Sequence, residues 1–152
     1  MDAVSEARLG EVMPELAEKI RQVALQLSVE NITIRVTQGL RTVAEQNALY
    51  AIGRTQPGRE VTNAQGCESW HVLGCAVDVA PMDEGIPDWN ETHPAWARIV
   101  AVGEAAGLRS GTAWRDEPHF ELTGTYPPAP PQMIQDLFMA GGVEAVWQTV
   151  VL

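Results

Sequence analysis

Apolar residues recur at helical spacing near the start of the chain, where Leu9, Val12, Met13, Leu16, Ile20, Val23, Ala24 and Leu27 fall on one side. Glu, Lys and Arg occupy the other side, so the pattern predicts an amphipathic helix over residues 5–27. Pro14 interrupts it, either dividing the segment into two helices or setting the first turn of the second. Residues 32–37 read Ile-Thr-Ile-Arg-Val-Thr, an alternating β-branched run that predicts a strand ended by Gly39. Thr42, with Glu45 three residues on, has the form of a capping box opening a helix that runs through Tyr50.

Residues 53–66 are rich in Gly, Pro, Thr, Asn and Gln and predict a surface loop. The apolar run 75–80 predicts a short strand closed by Pro81, and residues 82–90 a further loop. Residues 94–106 predict a helix with Thr92 as cap, Pro94 near the first turn and Gly107 as the stop. Residues 112–122 read as extended with an interruption at 116–118. A proline-rich connector at 127–131 then leads to a last helix, 133–152, broken near Gly141 and Gly142. Helices and strands are mixed without repeats. The expected fold is α+β, a single domain spanning 1–152 with a small antiparallel sheet flanked by helices.

Composition narrows the function classes. With 152 residues, 45% hydrophobic and 20% charged, the chain can bury a core without help from disulfides. Ten basic against twenty acidic residues give a net charge of −10, which argues against nucleic acid as a partner and against docking on an anionic membrane. No run approaches the roughly 18 apolar residues of a membrane span. The first ten residues lack the basic start and apolar core of a signal peptide, so the expectation is a cytoplasmic protein without an export signal of its own.

Three histidines bear the candidate chemistry. His93 precedes Pro94 at a helix start and has no acidic or cysteine cluster around it, so it is read as structural. His71 and Asp78 differ. Gly74 allows the chain to turn between them, and a carboxylate at Asp78 inside an apolar strand is costly unless paired or metal-bound. His119 sits in a second extended run, with Glu121 on the same face two residues later. Two imidazoles and a carboxylate form a common catalytic zinc set that leaves room for water. Two rival sites stay open at this level. Cys67, His71 and Cys75 are spaced four apart and would share a helical face as a structural zinc site, although Gly74 and the valines disfavour a helix. A two-histidine, one-carboxylate iron site is the other, but its first two ligands are usually nearly adjacent.

The segment from Ser69 to Asp78, Ser-Trp-His-Val-Leu-Gly-Cys-Ala-Val-Asp, resembles the pattern S-x-H-x-x-G-x-A-x-D of the zinc D-Ala-D-Ala carboxypeptidase and L-alanyl-D-glutamate endopeptidase family, matching all five fixed positions. Asp116-Glu117-Pro118-His119 is similar to a second element of that family, an acidic residue three before a histidine. Gly39-Leu40-Arg41-Thr42, then Glu45-Gln46-Asn47, Leu49-Tyr50 and Gly53-Arg54, resemble its phage endolysin branch. The resemblance runs from about residue 39 to residue 122, and the Gly-Gly…Val-Trp ending is similar to that branch as well.

The resemblance implies an α+β fold shared with the hedgehog signalling domain and one zinc ion per chain on His71, Asp78 and His119. It implies Asp116 as general base, with neighbouring Glu117 a competing carboxylate. It implies Arg41 as a residue holding substrate or polarising its carbonyl, and Ser69 as a residue near the substrate. For Arg41 a helix-start salt bridge, and for Ser69 a turn residue, are the plainer readings. The implied partner is bacterial peptidoglycan, cut by a monomeric phage lysis enzyme that waits in the host cytoplasm and has no separate wall-binding domain. A D-Ala-D-Ala carboxypeptidase or dipeptidase on the same scaffold, and a non-catalytic zinc-stabilised binding module, are the alternatives.

Overall fold

The computed structural model describes residues 1–150. In chain order its elements are α1 (Ala3–Leu9), α2 (Pro14–Val29), β1 (Ile34–Gln38), α3 (Val43–Ala51), β2 (Ala76–Asp83), β3 (Ile86–Pro87), α4 (Ala95–Ala105), β4 (Arg109–Gly111), β5 (Asp116–Glu121) and α5 (Gln132–Val150), with short 3-10 turns at Gly66–Glu68 and Thr112–Trp114. The fold class is α+β, with helices and an open antiparallel sheet ordered β1-β2-β5-β4; β3 pairs with the far end of β2. Val151 and Leu152, the end of the expected last helix, lie outside the described residues. The chain divides into two compact units, 1–39 with 76–122 and 40–75 with 123–152.

The first unit holds the sheet. The first helical segment ends at Leu9 with Gly10 as its cap, and Pro14 starts the next: it occupies the first turn of α2, where a missing N–H costs nothing. Leu16, Ile20 and Leu27 of α2 are fully buried at helical spacing, alongside Val36, Val77, Ile99 and Phe120. Each such side chain contributes roughly 1.5–3 kcal/mol through burial. Helix α4 packs against α2 and against β2 and β5. Its close approach depends on Gly103, where a Cβ would stand 2.2 Å from the Phe120 ring. At the N-terminus Asp2 caps α1 by accepting from the Ser5 N–H at 2.8 Å, and Arg35 donates to its other oxygen at 2.5 Å. Buried Ser5 accepts from the Val36 N–H at 3.0 Å, tying α1 to β1.

Three expectations in this unit need correcting. Strand β2 runs on through Pro81 to Asp83, and β3 makes a small hairpin of residues expected to be loop. Pro81 is tolerated at the last β1 pairing, where its carbonyl still accepts from the Asp88 N–H. Thr92 does not cap α4: its side chain bonds Asn90, and His93 Nδ1 accepts from the Ala95 N–H at 3.1 Å instead. The interruption expected at 116–118 falls earlier, in the 3-10 turn 112–114, and 116–118 belong to β5. Gly107 does stop α4, with φ at +84°.

In the second unit the Thr42–Glu45 capping box opens α3 as the sequence predicts. The polar stretch 53–66 is irregular but tied down. Buried Gln46 donates to Ala64 O at 2.7 Å, and Arg54 donates to Tyr50 O and Thr62 O while lying 4.0 Å from the Tyr50 ring centroid. Helix α5 carries the expected break, at Gly142 with φ 70°. Beyond it, the Trp147 indole N–H donates to Leu73 O at 2.9 Å.

Candidate metal centre

Asp78 and His119 face each other as cross-strand partners of β2 and β5, so their side chains leave the sheet on the same face. His119 Nδ1 lies 3.4 Å from Asp78 Oδ1. Its other nitrogen, Nε2, lies 2.9 Å from Glu121 Oε2, and Glu121 in turn accepts from Arg109 Nη1 at 2.6 Å through Oε1. Burial lowers the pKa of the His119 ring, but hydrogen bonds and charge from Asp78 and Glu121 outweigh it and raise the value to about 9. The surroundings of this ring favour positive charge.

His71 is buried in a turn that follows the Gly66–Glu68 3-10 segment. The turn is closed by three backbone bonds: Val72 N–H to Ser69 O, Gly74 N–H to His71 O, and Cys75 N–H to Trp70 O. Gly74 takes φ +68°, and a Cβ there would stand 2.9 Å from the Trp147 indole, so the position excludes a side chain twice over.

His71, Asp78 and His119 form a group in which one ligand atom from each lies within 4.8 Å of the others, and it is the single such group among the described residues. The donor set fits a metal. Two ligands each about 2.1 Å from a tetrahedral ion sit about 3.4 Å apart, matching the 3.4 Å between His119 Nδ1 and Asp78 Oδ1. The rival set of Cys67, His71 and Cys75 loses its premise, because residues 69–75 form a turn and not a helix, so spacing by four does not align them.

The other sequence-derived residues are placed as follows. The Arg41 N–H donates to His71 O at 3.2 Å, and its guanidinium donates to Gln46 Oε1 at 2.6 Å. Ser69 is buried, with its carbonyl closing the His71 turn. Asp116 and Glu117 are both exposed at the start of β5. Asp116 adjoins His119 across Gly111: the point a Gly111 Cβ would take is 2.1 Å from Asp116 O and 2.9 Å from His119 Cβ. A bulge between Ser110 and Gly111 makes this possible, so simple strand alternation does not fix where Asp116 points. His93 is structural, as read, bonding the start of α4.

Sequence reasoning noticed Glu121 on the His119 face but missed Arg109 as its partner, since nothing local in the sequence shows the β4–β5 register that sets Arg109 opposite Glu121. It also missed Trp114, which is part-exposed and meets the His119 ring edge-on with centroids 5.8 Å apart.

An α+β scaffold bringing two imidazoles and a carboxylate together fits the class of hydrolases that can hold a metal. The sequence profile of the phage L-alanyl-D-glutamate peptidases matches residues 1–126, and the chain belongs to that family of peptidoglycan peptidases. It is 34% identical over 125 residues to the L-alanyl-D-glutamate peptidase of Escherichia phage T5, covering 80% of this chain and 82% of the relative. It is 33% identical over 104 residues to the peptidoglycan L-alanyl-D-glutamate endopeptidase CwlK of Bacillus subtilis, covering 61% of this chain and spanning 62% of that relative's length. The crystal structure of the Serratia marcescens L-Ala D-Glu endopeptidase ChiX superposes with a TM-score of 0.63 at 31% identity, covering 81% of this chain and 89% of that one.

Proposed function

We propose that this chain is a zinc peptidase that hydrolyses the L-alanyl–D-glutamate bond of peptidoglycan stem peptides. One zinc is held by His71, Asp78 and His119, and residues 1–152 act as one monomeric catalytic domain. The grouping of those three side chains carries the reading, and family membership supplies the bond. When bound, zinc supplies Lewis acidity, lowering the pKa of a water from about 15.7 towards about 7 and polarising a carbonyl.

The protein groups do the rest. Asp116 accepts the proton of the water attacking the amide carbonyl and passes it to the departing nitrogen, so that L-alanine leaves with a new carboxylate and D-glutamate with a new amine. Arg41, whose side chain is steadied by Gln46, offsets the negative charge that builds on the carbonyl oxygen. Ser69 lies along the substrate. The biological setting follows the phage relative: a lysis enzyme held in the host cytoplasm until it reaches the wall. In keeping with this, none of the described helices is long and apolar enough to cross a membrane.

Substitution of the base separates chemistry from metal binding. Asp116→Ala retains stoichiometric zinc, measured by elemental analysis, and loses hydrolysis of purified wall by more than about a hundredfold. His71→Ala and His119→Ala lose both. Full activity in Asp116→Ala removes that residue from the base role.

A further inference from the structure

We propose that Glu121, clamped by Arg109, is the positioning residue that fixes the His119 ring for metal binding. It accepts a hydrogen bond from Nε2–H and leaves Nδ1 as the ligand atom turned towards Asp78. The inference rests on the zinc reading above and extends it to two residues that reading does not use.

The observations form one row across the sheet. Arg109 on β4 is the register partner of Glu121 on β5. Glu121 shares a strand face with His119 two residues earlier, and His119 is the register partner of Asp78 on β2. Glu121 is 1% exposed, and a carboxylate removed from water needs strong partners on both oxygens. It divides them: Oε1 accepts from Arg109 at 2.6 Å and Oε2 meets His119 Nε2 at 2.9 Å. Packing alone calls for no carboxylate here; an apolar side chain would fill the volume without desolvating a charge. A carboxylate facing Nε2 selects one tautomer, because an ionised carboxylate only accepts, so Nε2 must carry hydrogen. With Nε2 so engaged, Nδ1, the nitrogen 3.4 Å from Asp78, is the one that would give its lone pair to a metal. Carboxylates in this role orient a ligating imidazole and raise its basicity. The Arg109 side chain, part-exposed, holds Glu121 in place.

The test is zinc affinity of the full chain, measured by competition with a chromogenic chelator, together with the visible spectrum of the cobalt-substituted protein. Glu121→Ala should weaken zinc binding about 10- to 100-fold and alter the cobalt bands. Glu121→Gln, equal in shape, should weaken it about tenfold while keeping the native thermal transition, and it decides the matter if the alanine variant does not fold. Arg109→Met should follow with a smaller loss. Affinity and cobalt spectrum of Glu121→Gln within twofold of the parent overturn the positioning role while leaving the zinc centre intact. A parent chain that binds no stoichiometric zinc overturns both readings.

Discussion

Asp78 and His119 are set opposite each other by the pairing of β2 and β5, whereas His71 stands in a turn held by a handful of backbone bonds and one indole. The ladder is over-determined. Its residues are fixed by hydrogen bonds on both sides of β5, by Phe120 buried on the reverse face, and by the Arg109–Glu121–His119 row on the near face. The turn is held differently: Gly74 keeps a positive φ, Trp147 closes over it, and Trp70, bonded to Pro127 O, is buried beside it. Two of the proposed ligands therefore depend on strand register, while the third depends on the geometry of a buried turn. Damage to the ladder should appear first as lost stability, and damage to the turn as lost metal.

The largest effect that breaks this contrast open is at Gly103. A methyl group there meets the Phe120 ring at 2.2 Å, so Gly103→Ala should cost about 1–3 kcal/mol by overpacking, read as a fall in the thermal midpoint. Gly74→Ala adds about 1–2 kcal/mol of left-handed backbone strain to a softer contact with the Trp147 indole at 2.9 Å, and should lose more zinc affinity, because it displaces the turn that presents His71. If the two variants lose stability and affinity in the same proportion, the division between ladder and turn is wrong.

A smaller effect lies away from the site and sharpens the comparison by touching stability alone. Burial raises the Asp2 pKa, but the Ser5 hydrogen bonds and the Arg35 guanidinium outweigh it and hold the value at about 2. Its folded pKa is below its unfolded one, so its contribution is full above about pH 4 and fades as pH falls towards 2. Asp2→Ala should cost about 1 kcal/mol at neutral pH, the usual worth of a helix cap, with the solvent-screened ion pair adding little. The difference from the parent should shrink in acid melts, and zinc affinity should not change.

Legibility followed the same division. The Thr42–Glu45 box, the Pro14 boundary and the Gly107 stop are local signals, and local chemistry decides them. Asp78 was conspicuous because a carboxylate in an apolar strand demands a partner. Strand β2 outruns its sequence signal because proline is a poor strand residue in general but acceptable at the last β1 pairing. The Arg109–Glu121 pair and the bulge at Gly111 depend on register between strands, which no window of sequence reveals. The bracing of residues 53–66 by Gln46 and Arg54 is long-range in the same sense.

The most direct measurement digests purified peptidoglycan sacculi with the chain and identifies the new peptide termini by mass. The account predicts free L-alanine carboxyl termini and D-glutamate amino termini, abolished by a chelator and restored by added zinc. Release of D-alanine in their place, or undiminished cleavage by metal-free protein, would contradict it.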